Sequence, residues 1–249
     1  MRREDHIRIA EAVASASLHN FPPTVLAKLK EGSIWPDSIH IRKAHHKNRQ
    51  DDIMKYLLAA RKYFLQNNLS QSAFCLGVAF HYIADGTCPG SEDSAHDSWE
   101  REISRLPLPK KVFSVSFPTP NHLFNHIEYE LGIKRRTETS SFYTTLNLCS
   151  GIPELVWKAS KDKNKLEEEL IIRAKSELPD KLSYNLSIFI IFIALSLNIF
   201  LVSILDILDG FQIFLSLIAT GIVSSIPFRR LYKRKQAVIW ILDWYGIHY

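Results

Sequence analysis

Apolar positions recur at helical spacing through most of the first 180 residues. In residues 3–18, Ile7, Ile9, Ala10, Val13 and Ala14 form a stripe that Pro22-Pro23 ends, and 24–30 reads as a short helix. Residues 50–66 place Ile53, Tyr56, Leu57, Ala60 and Phe64 on one face of an amphipathic helix. The next segment, 71–85, is more apolar and reads as the central helix, with Ser70 as its N-cap. Residues 94–104, 120–132, 140–159 and 163–177 complete the helical pattern, and VFSVSF at 112–117 is the one candidate strand. By contrast, Gly, Pro, Asp and Asn punctuate 32–48 (GSIWPDSIHIRKAHHKN), which therefore reads as loop. The pattern predicts an all-α helical bundle over residues 1–180.

From residue 181 the pattern changes. Leu186–Leu205 and Phe211–Phe228 are apolar runs separated by the polar turn Asp206–Gly210, each long enough to cross a hydrocarbon core. They predict a two-helix transmembrane hairpin, with the lipid bilayer as partner. The basic cluster RRLYKRK at 229–235 predicts that the helical domain and the C-terminus both face the cytoplasm. The aromatic tail after it is expected at the membrane interface.

Charge and cysteines narrow the picture only modestly. The net charge is +5, and much of it comes from the cluster after residue 228, so charge does not point to a nucleic-acid surface. Three cysteines with no CxxC pair do not make a disulfide framework, and MRREDHIRIAEA is not a secretory signal.

Candidate chemistry is concentrated between Leu76 and Ile103. His81 with Asp85, and His96 with Glu100, are (i, i+4) pairs, and residues four apart share one helix face. The Gly86–Gly90 turn folds the second pair back towards the first. An aspartate at a helix C-terminus is disfavoured by the helix dipole unless a cation waits there. The 32–48 stretch adds Asp37 and the His45-His46 step. Such nitrogen and oxygen donors suit zinc, and two zinc ions about 4 Å apart can activate a water and clamp the oxygens of a phosphoryl group. Mono-zinc or purely structural binding would need fewer of them. Taken alone, His6 reads as a surface residue, and the row His122, His126 and Glu130 reads as an exposed helix face.

Read together, HIRIAEAV at 6–13, WPD at 35–37 with the downstream His-His step, LGVAFHYIADGTCP at 76–89 and HDSWE at 96–100 resemble the zinc-dependent phospholipase C family. Single-strand-specific nucleases share its fold. The resemblance covers residues 4–104 and, more loosely, the helices to 177. It implies an all-α bundle around a trinuclear zinc site that hydrolyses phosphodiesters. By position it implies that Asp37, His45 or His46, His81 and Asp85 hold one zinc, and that His96 and Glu100 belong to a second. His6 with Asp85 would hold a third, and Asp37 would also be the general base. Ser91 stands where the family has a further histidine, and the chain begins with Met1 where secreted members use a tryptophan amine. Two ions are therefore expected, with the third left open.

These readings give a membrane-anchored, zinc-dependent phosphodiester hydrolase, with a phospholipid as a reasonable substrate. A non-catalytic metal-binding interaction module is the alternative that Ser91 favours. A nuclease would need aromatic side chains beside the metals to stack bases, for which Trp35 and Trp99 are candidates.

Overall fold

The computed structural model describes residues 1–39, 49–88, 96–109, 115–133, 137–158, 165–177 and 238–247. Among them the regular structure is helical throughout: α1 (Arg3–Ala16), α2 (Pro23–Ser38), α3 (Gln50–Leu65), α4 (Leu69–Gly86), α5 (His96–Arg105), α6 (Pro120–Gly132), α7 (Glu138–Val156) and α8 (Lys165–Glu177). A short helix covers 238–244. The chain divides into two compact units, Met1–Glu168 with Asp243–His248, and Glu169–Leu242 with Tyr249. The site described below lies in the first.

Helix α4 is the axis of that unit, and nearly every residue from Ser72 to Asp85 is buried. It begins by a tight exchange with α3. Asn67 adopts φ 59°, and the N–H groups of Asn67 and Asn68 bond the carbonyls of Phe64 and Tyr63. This closes α3 with a Schellman motif. Asn68 then caps α4 by accepting from the Gln71 N–H, so the cap lies two residues before the expected Ser70.

Helix α2 crosses α4 at two glycines. A Cβ on Gly32 would lie 2.0 Å from the Phe74 carbonyl oxygen, and one on Gly77 would lie 2.1 Å from that of Leu29. Only hydrogen fits at either place, so the two backbones run in contact. At the far end of α4, Ser141 Oγ donates to the Thr87 carbonyl at 2.9 Å, and the Thr87 and Thr145 hydroxyls meet at 2.9 Å. These bonds satisfy orphan groups at a helix terminus and fix it against α7.

Three expectations are corrected. Helix α2 continues through Pro36 to Ser38, so Asp37 sits in a helical last turn rather than in a loop. Pro36 forfeits one intrahelical bond, but it is buried and the close crossing with α4 holds the turn. The membrane localisation is also overturned. Among the described residues no helix is long and apolar enough to cross a membrane. The runs 186–205 and 211–228 lie outside the described residues, as does the basic cluster. The aromatic tail is no interfacial segment either: Trp244 is 1% exposed. The buried Arg61 donates through Nε to the Trp244 carbonyl and through Nη1 to those of Val156 and Lys158. Tyr245 donates to Glu167 at 3.2 Å. The tail thus closes the first unit's core.

Candidate metal centre

Four side chains from α1, α2 and α4 converge below the α2–α4 crossing. His81 Nδ1 lies 2.9 Å from the Ser33 carbonyl oxygen, which makes Nδ1 the protonated nitrogen and turns Nε2 inward. Its Nε2 stands 3.1 Å from Asp85 Oδ2 and 3.7 Å from Asp37 Oδ1. His6, from α1, stacks on the His81 ring at 4.1 Å and puts Nε2 3.3 Å from Asp85 Oδ1. Ligand atoms of His6, Asp37 and His81 all lie within 4.8 Å of one another, close enough for one ion. Asp85 is 1% exposed, whereas Asp37 is 34% exposed and forms the solvent side of the cluster.

Two more groups reach the same place. The Met1 ammonium is buried 2.8 Å from Asp85 Oδ1 and 3.4 Å from Glu100 Oε1. Glu100 comes from α5 and is mostly buried at its carboxylate. Local sequence signals do not place Met1 inside the cluster, and taken alone they put His6 at the surface, whereas it is buried. The stripe of α1 already held the second signal, because His6 shares a face with Ala10 and Val13.

The chemistry of the cluster fits a metal. Neither ring nitrogen of His6, including the Nε2 that faces Asp85, makes a hydrogen bond of ordinary geometry among the described residues, although the residue is 2% exposed. A buried polar nitrogen left so costs free energy that a bound cation would return. Burial, reinforced by the His81 charge, pushes the His6 pKa down to about 3, which keeps the ring neutral as a ligand must be. Burial works against the charged form of His81, but Asp85 and then Asp37 raise its pKa above the ordinary value. Asp85 itself is held well below the usual carboxylate range. There burial is outweighed by the Met1 ammonium and the two histidines. Burial opposes the Met1 ammonium too, yet Asp85 carries its pKa up to about 12.

These shifts predict a stability maximum for the zinc-free chain. His6 protonates freely when unfolded but not when folded, so stability falls as pH drops from 6.5 towards 3. The slope from one such group is at most about 1.4 kcal/mol per pH unit. His81 has the opposite sign: its contribution is full below 6.5 and fades as pH rises through the raised folded value. With chelator present, the urea midpoint should peak near pH 6.5. A midpoint that climbs steadily from about pH 5 to about pH 8 would contradict this assignment of charges.

The other expected site residues fare differently. His45 and His46 lie outside the described residues, as do Ser91 and the side chain of His96, whose backbone opens α5. On α6, His126 Nε2 stands 3.8 Å from Glu130, and the row is not part of the three-residue cluster. Trp99 is buried, and Trp35 packs edge-on against Phe74 and Tyr56.

No curated protein and no solved structure matches the chain significantly. A family model described as zinc dependent phospholipase C matches residues 5–179, which spans α1 to α8 and every side chain of the cluster. On that match, which covers more than half of the 249 residues, the chain belongs to the zinc-dependent phospholipase C family, a family of hydrolases.

Proposed function

We propose that the chain hydrolyses phosphodiesters of phospholipid type, with zinc held by His6, Asp37, His81 and Asp85. Glu100 and His96 would serve a second ion, and one of His45 and His46 would complete the first. The observation that carries this reading is the pair of stacked, buried imidazoles sharing the Asp85 carboxylate, with Asp37 at the open side. Bound zinc would supply Lewis-acid polarisation of the phosphoryl group and a nucleophile at neutral pH.

The chain's own residues then have separable tasks. Asp85, buried between His6 and His81, holds them in register and contributes the fixed negative charge. His81 is oriented by the Ser33 carbonyl, which accepts the Nδ1 hydrogen bond and so keeps Nε2 free to face a metal. Asp37 is the carboxylate that solvent and substrate can reach, which suits it to accept a proton as well as to ligate. The burial of Trp99 removes one of the two candidate stacking platforms of a nuclease.

The test is zinc-dependent hydrolysis of bis(p-nitrophenyl) phosphate and of phosphatidylcholine in mixed micelles by the full chain. Asp37→Asn should lower the rate about 10²- to 10⁴-fold while shifting the unfolding midpoint little, since Asp37 is partly exposed. Hydrolysis that is indifferent to chelator, or full activity in Asp37→Asn, would refute the proposal.

A further inference from the structure

Helix α5 carries Glu100 to the centre but has few apolar anchors; Trp99 and Ile103 are its buried large side chains. Apolar packing of two residues permits sliding and rotation along a neighbour. Directional bonds do not. Such bonds are present between α1 and the end of α5. Asp5, one residue before His6, is fully buried, and both its oxygens are used. Arg8 Nη1 donates to Oδ1 at 2.9 Å, and Ser104 Oγ lies 2.8 Å from Oδ2.

The same two residues grip the backbone of α5. Arg8 Nη1 also donates to the Ser104 carbonyl at 3.1 Å, and Arg8 Nη2 donates to that of Leu106. These are C-terminal carbonyls that a helix leaves without internal partners. Ser104 Oγ is shared with the Glu100 carbonyl at 3.0 Å, one turn back. The guanidinium lies over the Phe142 ring of α7 at 5.4 Å, which fixes its plane.

We infer that Asp5, Arg8 and Ser104 form a positioning clamp that sets the Glu100 carboxylate relative to Asp85. The clamp ties the turn of α1 that bears His6 to the turn of α5 that follows Glu100. Of the two carboxylates that flank the Met1 ammonium, Glu100 takes its place from this set of bonds and Asp85 from α4. A buried ion pair is a poor source of net stability, but it holds one register against alternatives. None of the three residues touches substrate in this scheme; they act through Glu100. The inference rests on the zinc reading above.

The test compares full-length wild type with Ser104→Ala, Arg8→Met and Arg8→Lys, and with Ser17→Ala as control. Ser17 ties the end of α1 to Glu154 of α7, away from α5. Zinc content, zinc affinity against a competing chelator, hydrolysis and chelated melting temperature are read together. Ser104→Ala and Arg8→Met should hold one ion fewer than wild type at equal free zinc, with affinity for that ion about 10- to 100-fold weaker. Excess zinc should restore their hydrolysis, Arg8→Lys should recover part of the affinity, and Ser17→Ala should match wild type. If the clamp variants bind zinc as wild type does, or lose every ion in parallel with melting temperature, the clamp is only structural and the inference falls. Should Arg8→Met fail to fold, Ser104→Ala, which removes one oxygen, decides alone. A wild type without zinc removes the proposed function and the clamp together. A zinc-replete wild type with unaltered clamp variants removes the clamp only.

Discussion

Asp85→Asn should abolish zinc binding and hydrolysis together, and should weaken the chelated protein as well. The carboxylate is 1% exposed and stands 2.8 Å from the Met1 ammonium, 3.1 Å from His81 Nε2 and 3.3 Å from His6 Nε2. An amide keeps the shape but removes the charge that all three face. Zinc affinity should fall more than about 100-fold, since a ligand is lost along with the orienter of two others. The ammonium would then be buried without its nearest counter-charge, a situation that costs about 3–5 kcal/mol in comparable buried pairs. The pair of measurements is a zinc titration and a urea midpoint in chelator. An Asp85→Asn chain that keeps wild-type zinc content would show that Asp85 is not a ligand. One that loses zinc at unchanged chelated stability would show that the buried ion pair contributes nothing to the fold. The added loss of chelated stability separates Asp85 from the 34% exposed Asp37, whose loss should weaken zinc binding and activity but leave the chelated fold nearly unchanged.

Gly77→Ala should do comparable damage from outside the cluster. Its Cβ would meet Leu29 O at 2.1 Å and Ser33 N at 2.7 Å, both backbone atoms that cannot rotate away. Helices α2 and α4 must part, at a cost of about 3 kcal/mol or more. Parting them stretches the 2.9 Å contact between the Ser33 carbonyl and His81 Nδ1 and carries Asp37 away from His81. Zinc affinity should fall at least tenfold, because the bond that orients His81 and the distance of Asp37 change at once. Gly132→Ala is the matched control, since nothing lies within 4 Å of its Cβ. That change should be neutral or stabilising by about 0.5 kcal/mol. Equal unfolding midpoints for Gly77→Ala and wild type would refute the close crossing.

The helices were legible because their apolar faces repeat over many residues, and helix α4 announced itself by continuous burial. That His81 and Asp85 meet was legible from spacing alone, since both lie on one helix and need no knowledge of the rest. What required tertiary information was misread. Asp37 stands after a proline, and a local reading of Trp35-Pro36-Asp37 sees a breaker; the crossing at Gly32 and Gly77 overrides it. Taken alone, His6 read as surface because charged residues surround it in sequence, and only the family resemblance made it a candidate; its helix face turns inward. The aromatic tail looked like a membrane-surface segment because amphipathic rings suit an interface as well as a core. Arg61 decides between them by binding the Trp244 carbonyl inside the bundle. Neither the clamp nor the glycine crossing has any signature short of pairing residues nearly a hundred or about forty-five positions apart.

The most direct test of the central claim is the zinc content of the purified full-length chain after dialysis against trace zinc. The buried cluster of His6, Asp37, His81 and Asp85 predicts at least one tightly held ion per chain, and about two with Glu100 and its partners. That content should disappear in Asp85→Asn. Less than one zinc per wild-type chain would contradict the account.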